Sequence, residues 1–275
     1  MMKKVFTLFV FFSLGLVTVG QGTAMAQILK FDSSDNNTPI TIDAEEGIEW
    51  QQKKKVYIAR GNALAAKGDF SIRGDELKAF YTDANGQKNA MGNDVYKVEA
   101  VGNVKIDTGE HRGLADYAIY DVNAGIIRMT GEALTLKTAT DTLNADDYIE
   151  YKEKEKTAEA VGNATVLREG NTLYADRLVA NFIEGPDGSN QIDNIDALGK
   201  VIIVTKQERI TANRGRYTLD NGLAVLKGDV RIFRGQNELN GDLAEVNLNT
   251  GVSKLLSSPN SGRVRGVFTP NSPDS

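Results

Sequence analysis

One pattern recurs along this chain and restricts what it can fold into. The stretch "AVGNATVLREGNTLYADRLVANF" from Ala160 has near-copies in "AVGNVKIDTGEHRGLADYAIYDV" from Ala100 and "ARGNALAAKGDFSIRGDELKAFY" from Ala59. The glycines of the units are Gly61, Gly102, Gly131, Gly162, Gly199 and Gly228. Their acidic or Asn partners are Asp75, Asp116, Asp146, Asp176, Asn213 and Asp242, at gaps of 14, 14, 15, 14, 14 and 14 residues. Spacing this steady marks a repeat architecture, in which each unit buries its apolar face against its neighbours. A longer period overlies it. Glu45, Gly61 and Asp75 return 101 residues later as Asp146, Gly162 and Asp176; Gly102, Asp116 and Gly131 return 97 later as Gly199, Asn213 and Gly228.

Within a unit the hydrophobic period is two, the period of a strand with one buried face. Leu77, Ala79 and Tyr81 follow Asp75 in one parity; Ala118, Tyr120 and Val122 follow Asp116; Leu178, Ala180 and Phe182 follow Asp176. Lys78, Arg177 and Asn181 stand between them. Asn123-Ala124-Gly125 and Asp220-Asn221-Gly222 supply turn chemistry between strands. Ile48 and Trp50, with their counterparts Ile149 and Tyr151, fall out of phase and predict a bulge or a block end. No segment shows helical periodicity. The fold class is all-β: about 14–16 short antiparallel strands in a jelly roll or solenoid, arranged as two tandem blocks. Many inward positions are small, including Ala63, Ala79, Ala118, Ala180, Ala244 and Gly215. Such positions suit either tightly closed sheets or a groove with room for an apolar guest.

The ends of the chain carry different information. Lys3 and Lys4 precede an apolar run from Val5 to Val19, and Ala24-Met25-Ala26 follows, which reads as an export signal cut after Ala26. The expected organisation is therefore residues 1–26 as signal peptide, 27–38 as a flexible lead and 39–256 as the β-roll. Within the roll, the repeats occupy about 44–131 and 145–228, with a closing half-unit to 256. Residues 257–275 form a Pro/Ser-rich tail that reads as frayed and disordered at its end, although Arg263-Val264-Arg265-Gly266-Val267-Phe268 alternates as an edge strand would.

Composition narrows the chemistry. A net charge of −5 argues against a nucleic-acid partner. With no Cys and a single His, thiolate chemistry, Cys/His metal sites and a His-dependent triad are poor readings. No cofactor motif is present, and no phosphate-cradling Gly-rich loop with Lys and Ser/Thr. The repeated acids are isolated singles, unlike the Gly-rich Asp repeats of calcium-binding rolls, and read as architectural. The Lys53-Lys54-Lys55 run suits phosphate contact or, more simply, a solvated turn.

"TPITIDAEEGIEW" from Thr38, followed by "ARGNALAAKGDFSIRGDEL" from Ala59, resembles the LptA/OstA-like family in the order of its entry strand, Gly-Asn step and Gly-Asp strand. The resemblance runs from Pro39 to about Leu256. It implies a twisted, V-shaped β-jelly roll in the periplasm that binds lipopolysaccharide and carries it toward the outer membrane. The implied partners are an inner-membrane-anchored LptC-like protein, an outer-membrane LptD-like protein and further copies joined by edge strands. An extra acidic strand, Asp43-Ala44-Glu45, precedes the first Gly, and the resulting seven exceed those of compact family members and suggest a longer or duplicated form. The resemblance places Ile40, Ile42, Val104 and Ile106 on a lipid-binding groove, to which strand parity adds Leu77, Tyr81, Tyr120 and Phe182. An ordinary apolar core remains the competing reading of each. Trp50 reads as a packing residue. Two further functional classes stay open at this level: a carbohydrate-active β-solenoid enzyme with paired carboxylates, and an exported structural or adhesive repeat protein.

Overall fold

The computed structural model describes residues 40–82, 94–109, 111–185, 190–247, 250, 252–257 and 263–267. Eighteen strands form one antiparallel sheet. They are β1 (Thr41–Asp43), β2 (Gly47–Gln51), β3 (Val56–Lys67), β4 (Phe70–Thr82), β5 (Asp94–Asp107), β6 (Arg112–Asp121), β7 (Ile126–Thr130), β8 (Leu134–Lys137) and β9 (Asp141–Ala145). There follow β10 (Tyr148–Lys152), β11 (Thr157–Arg168), β12 (Asn171–Glu184), β13 (Asn190–Val204), β14 (Arg209–Thr218), β15 (Leu223–Arg234), β16 (Asn237–Asn247), β17 (Val252–Leu256) and β18 (Arg265–Val267).

Each long strand belongs to two half-sheets. In β3, residues Val56–Arg60 pair with β2 and residues Ala63–Lys67 contribute to the pairing with β1, with the register of the β3–β4 ladder shifting between Arg60 and Ala63. The same shift recurs at Val101/Val104, Val161/Ala164, Leu198/Val201 and Lys227/Val230. The Gly-Asn step supplies the extra residues of this bulge. Gly162 and Asn163 both hold positive φ, 86° and 43°, the region that Gly enters freely and Asn tolerates. Asn163 Nδ2 then donates to Asp146 Oδ2 at 2.7 Å across the corner, and Asn62 Nδ2 donates to Glu45 Oε1 at 3.0 Å in the sister block. The repeated acids are corner acceptors. Among the described residues, no group of three or more His, Asp or Glu is placed to hold a metal.

The fixed 14-residue gap now has a cause. From Gly61 the chain runs out along one half-sheet, turns at Gly68 and returns to the same corner at Asp75. The gap is the length of that hairpin. The variable stretches between units are the hairpins of the other half-sheet. β1 with β2, β7 with β8, β9 with β10 and β17 with β18 are passes broken at the corner or beyond it; counting each pair once turns the eighteen strands into fourteen passes. The individual strands are longer than the short strands expected, because a bulge bends a strand without ending it. The out-of-phase residues follow the same logic. Ile48 and Ile149 lie just past the corner breaks at residues 44–46 and 146–147, and pair with Ala59 and Ala160 on inward rows.

The two blocks match at single bonds. Tyr81 N donates to Lys55 O at 3.0 Å, and Phe182 N donates to Lys156 O at 2.9 Å, 101 residues on. The sheet nevertheless passes through both blocks without a break, since β7 pairs β10 and β9 pairs β11. Val252 onward continues the stack: β17 and β18 both pair β16, so part of the expected tail is strand. Phe268, Pro39, the signal-peptide segment and residues 27–38 lie outside the described residues.

Candidate functional site

The half-sheets face each other through rows of side chains set by register. On the first half-sheet, which begins with β1, one inward row runs Ile42, Ala65, Ile72, Ile106, Gly113, Leu136 and Leu143. It continues through Val166, Leu173, Ile203, Ile210, Ile232 and Leu239. On the second half-sheet, which begins with β2, the facing row near the open side runs Trp50, Tyr57, Ala79, Val98, Tyr120, Ile127 and Tyr151. Ala158, Ala180, Ile195, Tyr217, Ala224 and Val246 extend it. An aliphatic row and an aromatic-rich row thus line one continuous seam. Residues of both half-sheets form a single buried apolar cluster.

An apolar cleft lies in this seam within the first block. It is lined by Phe70, Ile72, Val98, Ile106, Ala118, Ile119, Tyr120 and Ile127, and its volume is about 30 Å³. That admits two or three water-sized groups at roughly 10–15 Å³ each. A fatty chain needs more, so the half-sheets must part to take one. Of the lining residues, Phe70, Val98, Ile119 and Tyr120 are half-buried and the other four are buried. Burial pushes the phenols of Tyr120, Tyr151 and Tyr217 above their ordinary range, so these seam tyrosines stay neutral.

The eight residues expected to line a groove occupy four places. Ile106 and Tyr120 meet at the cleft. Leu77 and Val104 are buried near the corner and do not line the cleft, although Ala118, on the same row as Leu77, does. Tyr81 and Phe182 are buried toward the open side, each in an aromatic group. Ile42 is half-buried on the inward row at the edge, and Ile40 is half-buried just before β1. Tyr81 accepts a 2.6 Å bond from Trp50 Nε1 and packs against Tyr57 at 4.9 Å between ring centroids. Phe182 meets Tyr151 edge-on at 6.1 Å, and Tyr151 also accepts a bond from Asn190 at 3.3 Å. Trp50 stacks on Tyr57 at 5.7 Å, as a packing residue does, yet remains 53% exposed at the end of the stack.

Sequence reasoning missed Phe70, Ile72, Val98, Ile119 and Ile127. Ile72 shares parity with Gly74, one residue before Asp75, and counting backward from each Asp would have found it. Val98 and Ile127 each stand four residues before a marker glycine, Gly102 and Gly131, so counting backward from each Gly would have found both. The small positions divide as well: Ala63, Ala118, Ala180, Ala244 and Gly215 are buried, and Ala79 is half-buried. Lys53, Lys54 and Lys55 form the turn between β2 and β3. Two buried carboxylates, Glu150 and Glu208, are bound by Arg128 at 2.6 Å and by Arg234, and neither lines the cleft.

A family model described as LptA/(LptD N-terminal domain) LPS transport protein matches residues 41–156 and, again, 142–252. The two matches overlap at the block junction. Among solved structures the chain is similar to LptH from Pseudomonas aeruginosa, the LptA-homologous periplasmic component of a lipopolysaccharide transport device. The identity is 12%, the alignment covers 86% of this chain and 99% of that one, and the TM-score of 0.20 is too low to bear on the geometry. No curated protein matches the chain.

Proposed function

The chain belongs to the LptA/LptD N-terminal-domain family of lipopolysaccharide transport proteins, and on that premise we propose that it is a periplasmic lipopolysaccharide carrier whose seam shelters lipid A acyl chains. The reading rests on the continuity of the inward rows. They extend from the β1/β2 edge to the β17/β18 edge, and a wall that is apolar over its whole length offers similar affinity at successive positions. Each methylene withdrawn from water contributes about 0.8 kcal/mol, so one exposed acyl chain costs on the order of 10 kcal/mol. Sugars and phosphates remain in solvent beyond the aromatic side of the seam. A substrate moved along a uniform trough requires no chemical step, and the work of movement comes from a partner.

The stack ends suit the bridging role. Among the described residues, β1 and β2 pair only with β3, and β17 and β18 only with β16. At one end Ile48 and Trp50 are 55% and 53% exposed on inward rows; at the other, Val252 is 51% exposed. A strand added at either edge would satisfy free backbone groups and prolong the rows. The proposed occupants are another copy, an inner-membrane-anchored LptC-like protein and an outer-membrane LptD-like protein. In this reading the segment up to Ala26 acts as an export signal that sends the chain between the membranes, with residues 27–38 as lead and the roll beyond them. N-terminal sequencing of the exported protein should begin at Gln27.

Photo-crosslinking in cells tests the carrier role. A photoreactive residue at Ile106, Tyr120 or Ile42 should form lipopolysaccharide adducts, and one at outward-facing Lys78 should not. Equal labelling at all four positions refutes the proposal.

A further inference from the structure

The rows that cross the sheet can be followed to both ends of the stack, and the charges at those ends are sorted by sign. On the second half-sheet one outward row begins at Glu49 and ends at Lys254. On the first half-sheet one outward row begins at Asp43 and ends at Arg265. Both acids stand on the β1/β2 edge and both cations on the β17/β18 edge, and all four side chains are exposed. Arg60 holds Glu49 at 2.8 Å through one carboxylate oxygen, which keeps the acid on its row.

The two edges also match in direction and in side-chain size. β17 runs toward the corner, since Val252 pairs with Asn247 and Leu256 with Leu243, whereas β2 runs away from it. β18 runs away from the corner and β1 toward it. Laying the β1/β2 edge of one copy on the β17/β18 edge of another therefore continues the antiparallel alternation on both half-sheets in a single register. That register sets Glu49 beside Lys254 and Asp43 beside Arg265. It sets Trp50 beside Ser253, Ile42 beside Gly266 and Leu256 beside Gly47, large against small each time. Ile48, 55% exposed in the single chain, meets Leu255. Inside the protein the same relation already closes ion pairs: Asp196 and Arg216 are register partners joined at 2.6 Å, as are Glu150 and Arg128.

From the sorted charges and the row register together we propose that the two edges form a charge-keyed joint that selects a second copy of this chain in one orientation. Asp43 and Glu49 are the key on one side, Arg265 and Lys254 on the other. The key presupposes the edge pairing proposed above and adds to it a register, a direction and four specificity-determining side chains. Backbone pairing alone accepts any extended strand. Two β1/β2 edges, or two β17/β18 edges, set like charges against each other, and the joint rejects them.

Sedimentation velocity tests the joint with protein beginning at Gln27, which keeps every described residue. In the variant D43K/E49K both edges are basic; in K254E/R265E both are acidic. Opposite charges directly across a ladder strengthen pairing by up to about fivefold each, and like charges weaken it by a similar factor. Each variant alone should therefore self-associate at least about tenfold more weakly than the parent. Mixed in equal amounts they should assemble as the parent does, because every joint again sets acid against base. The single variants D43K and R265E leave the Arg60 contact intact and repeat the exchange on the first half-sheet alone, with a smaller loss and the same rescue on mixing. Far-UV circular dichroism checks that each variant keeps its strands. Undiminished association of the double variants, or a mixture no stronger than its parts, overturns the charge key; if Val252→Lys with Leu256→Lys still reduces assembly, edge pairing survives that result. A parent that stays monomeric overturns the copy-to-copy joint and leaves the edges to the membrane-bound partners, while the carrier role stands or falls on its crosslinks.

Discussion

Replacing Gly162 with Ala separates two demands that the corner makes. At φ +86° a side chain enters the left-handed region, which costs roughly 1–2 kcal/mol. The new Cβ would also stand 2.7 Å from the backbone N and the Cγ of Asp147. A backbone atom cannot swing aside, so the corner must shift. Two bonds hold it: Asp146 N to Gly162 O at 2.7 Å and Asp147 N to Val161 O at 3.0 Å. Weakening both adds about 1–3 kcal/mol. Gly162→Ala should therefore destabilise the protein by roughly 2–5 kcal/mol. Gly170 is the matched control. Its φ is +81°, and nothing lies within 4 Å of a Cβ there, so Gly170→Ala should cost only the conformational part, roughly 1–2 kcal/mol. Urea unfolding followed by far-UV circular dichroism measures both. Equal midpoints for the two variants would refute the claim that close approach at the corner, rather than backbone conformation alone, requires the glycine.

Three further outcomes are expected. Ala118→Val places two methyl groups against the cleft; it should reduce lipopolysaccharide crosslinking at Tyr120 while costing under about 1.5 kcal/mol, and undiminished crosslinking would argue that the guest lies elsewhere. Val252→Lys with Leu256→Lys charges an edge strand whose side chains are exposed, so end-to-end assembly should fall in sedimentation velocity with the melting temperature nearly unchanged; unchanged assembly would dismiss that edge as a joint. Hydrogen bonds hold four carboxyls below their ordinary values: Glu49 through Arg60 and Gln51, Glu76 through Lys78 and Arg60, Asp107 through the Gly109 amide and Arg112, and Glu159, against the opposing effect of burial, through Tyr148 and Arg177. Groups with lowered folded values stabilise above the unfolded value and lose that contribution as pH falls, so stability should drop below about pH 4.5, and Glu159→Gln should flatten the acid limb; an unaltered limb would show that Glu159 is not part of it.

Local features of the sequence were legible because their causes are local. The inward parity of Leu77, Tyr81, Tyr120 and Phe182 follows from a two-residue pleat, and the Gly-Asn steps mark a backbone conformation that few residues accept. Together they determined an all-β repeat with a bend in every unit. The sequence also carried the family, through the order of the entry strand and the Gly steps. What it left open was which residues meet across space. Gly162 is crowded by Asp147, from the corner break between β9 and β10, rather than by Asp176, its partner in spacing. Ile72 and Tyr120 line one cleft although they come from different half-sheets. Leu77 and Val104 share the inward parity but sit at the corner, where the half-sheets are closest. Depth along the seam depends on how far each residue lies from its bulge and on how the halves fold together, and no period in the chain records that. Tertiary structure likewise decided which outward charges pair, as Arg216 does with Asp196 and Arg128 with Glu150, because register across the hairpins, not order along the chain, sets which charges become neighbours.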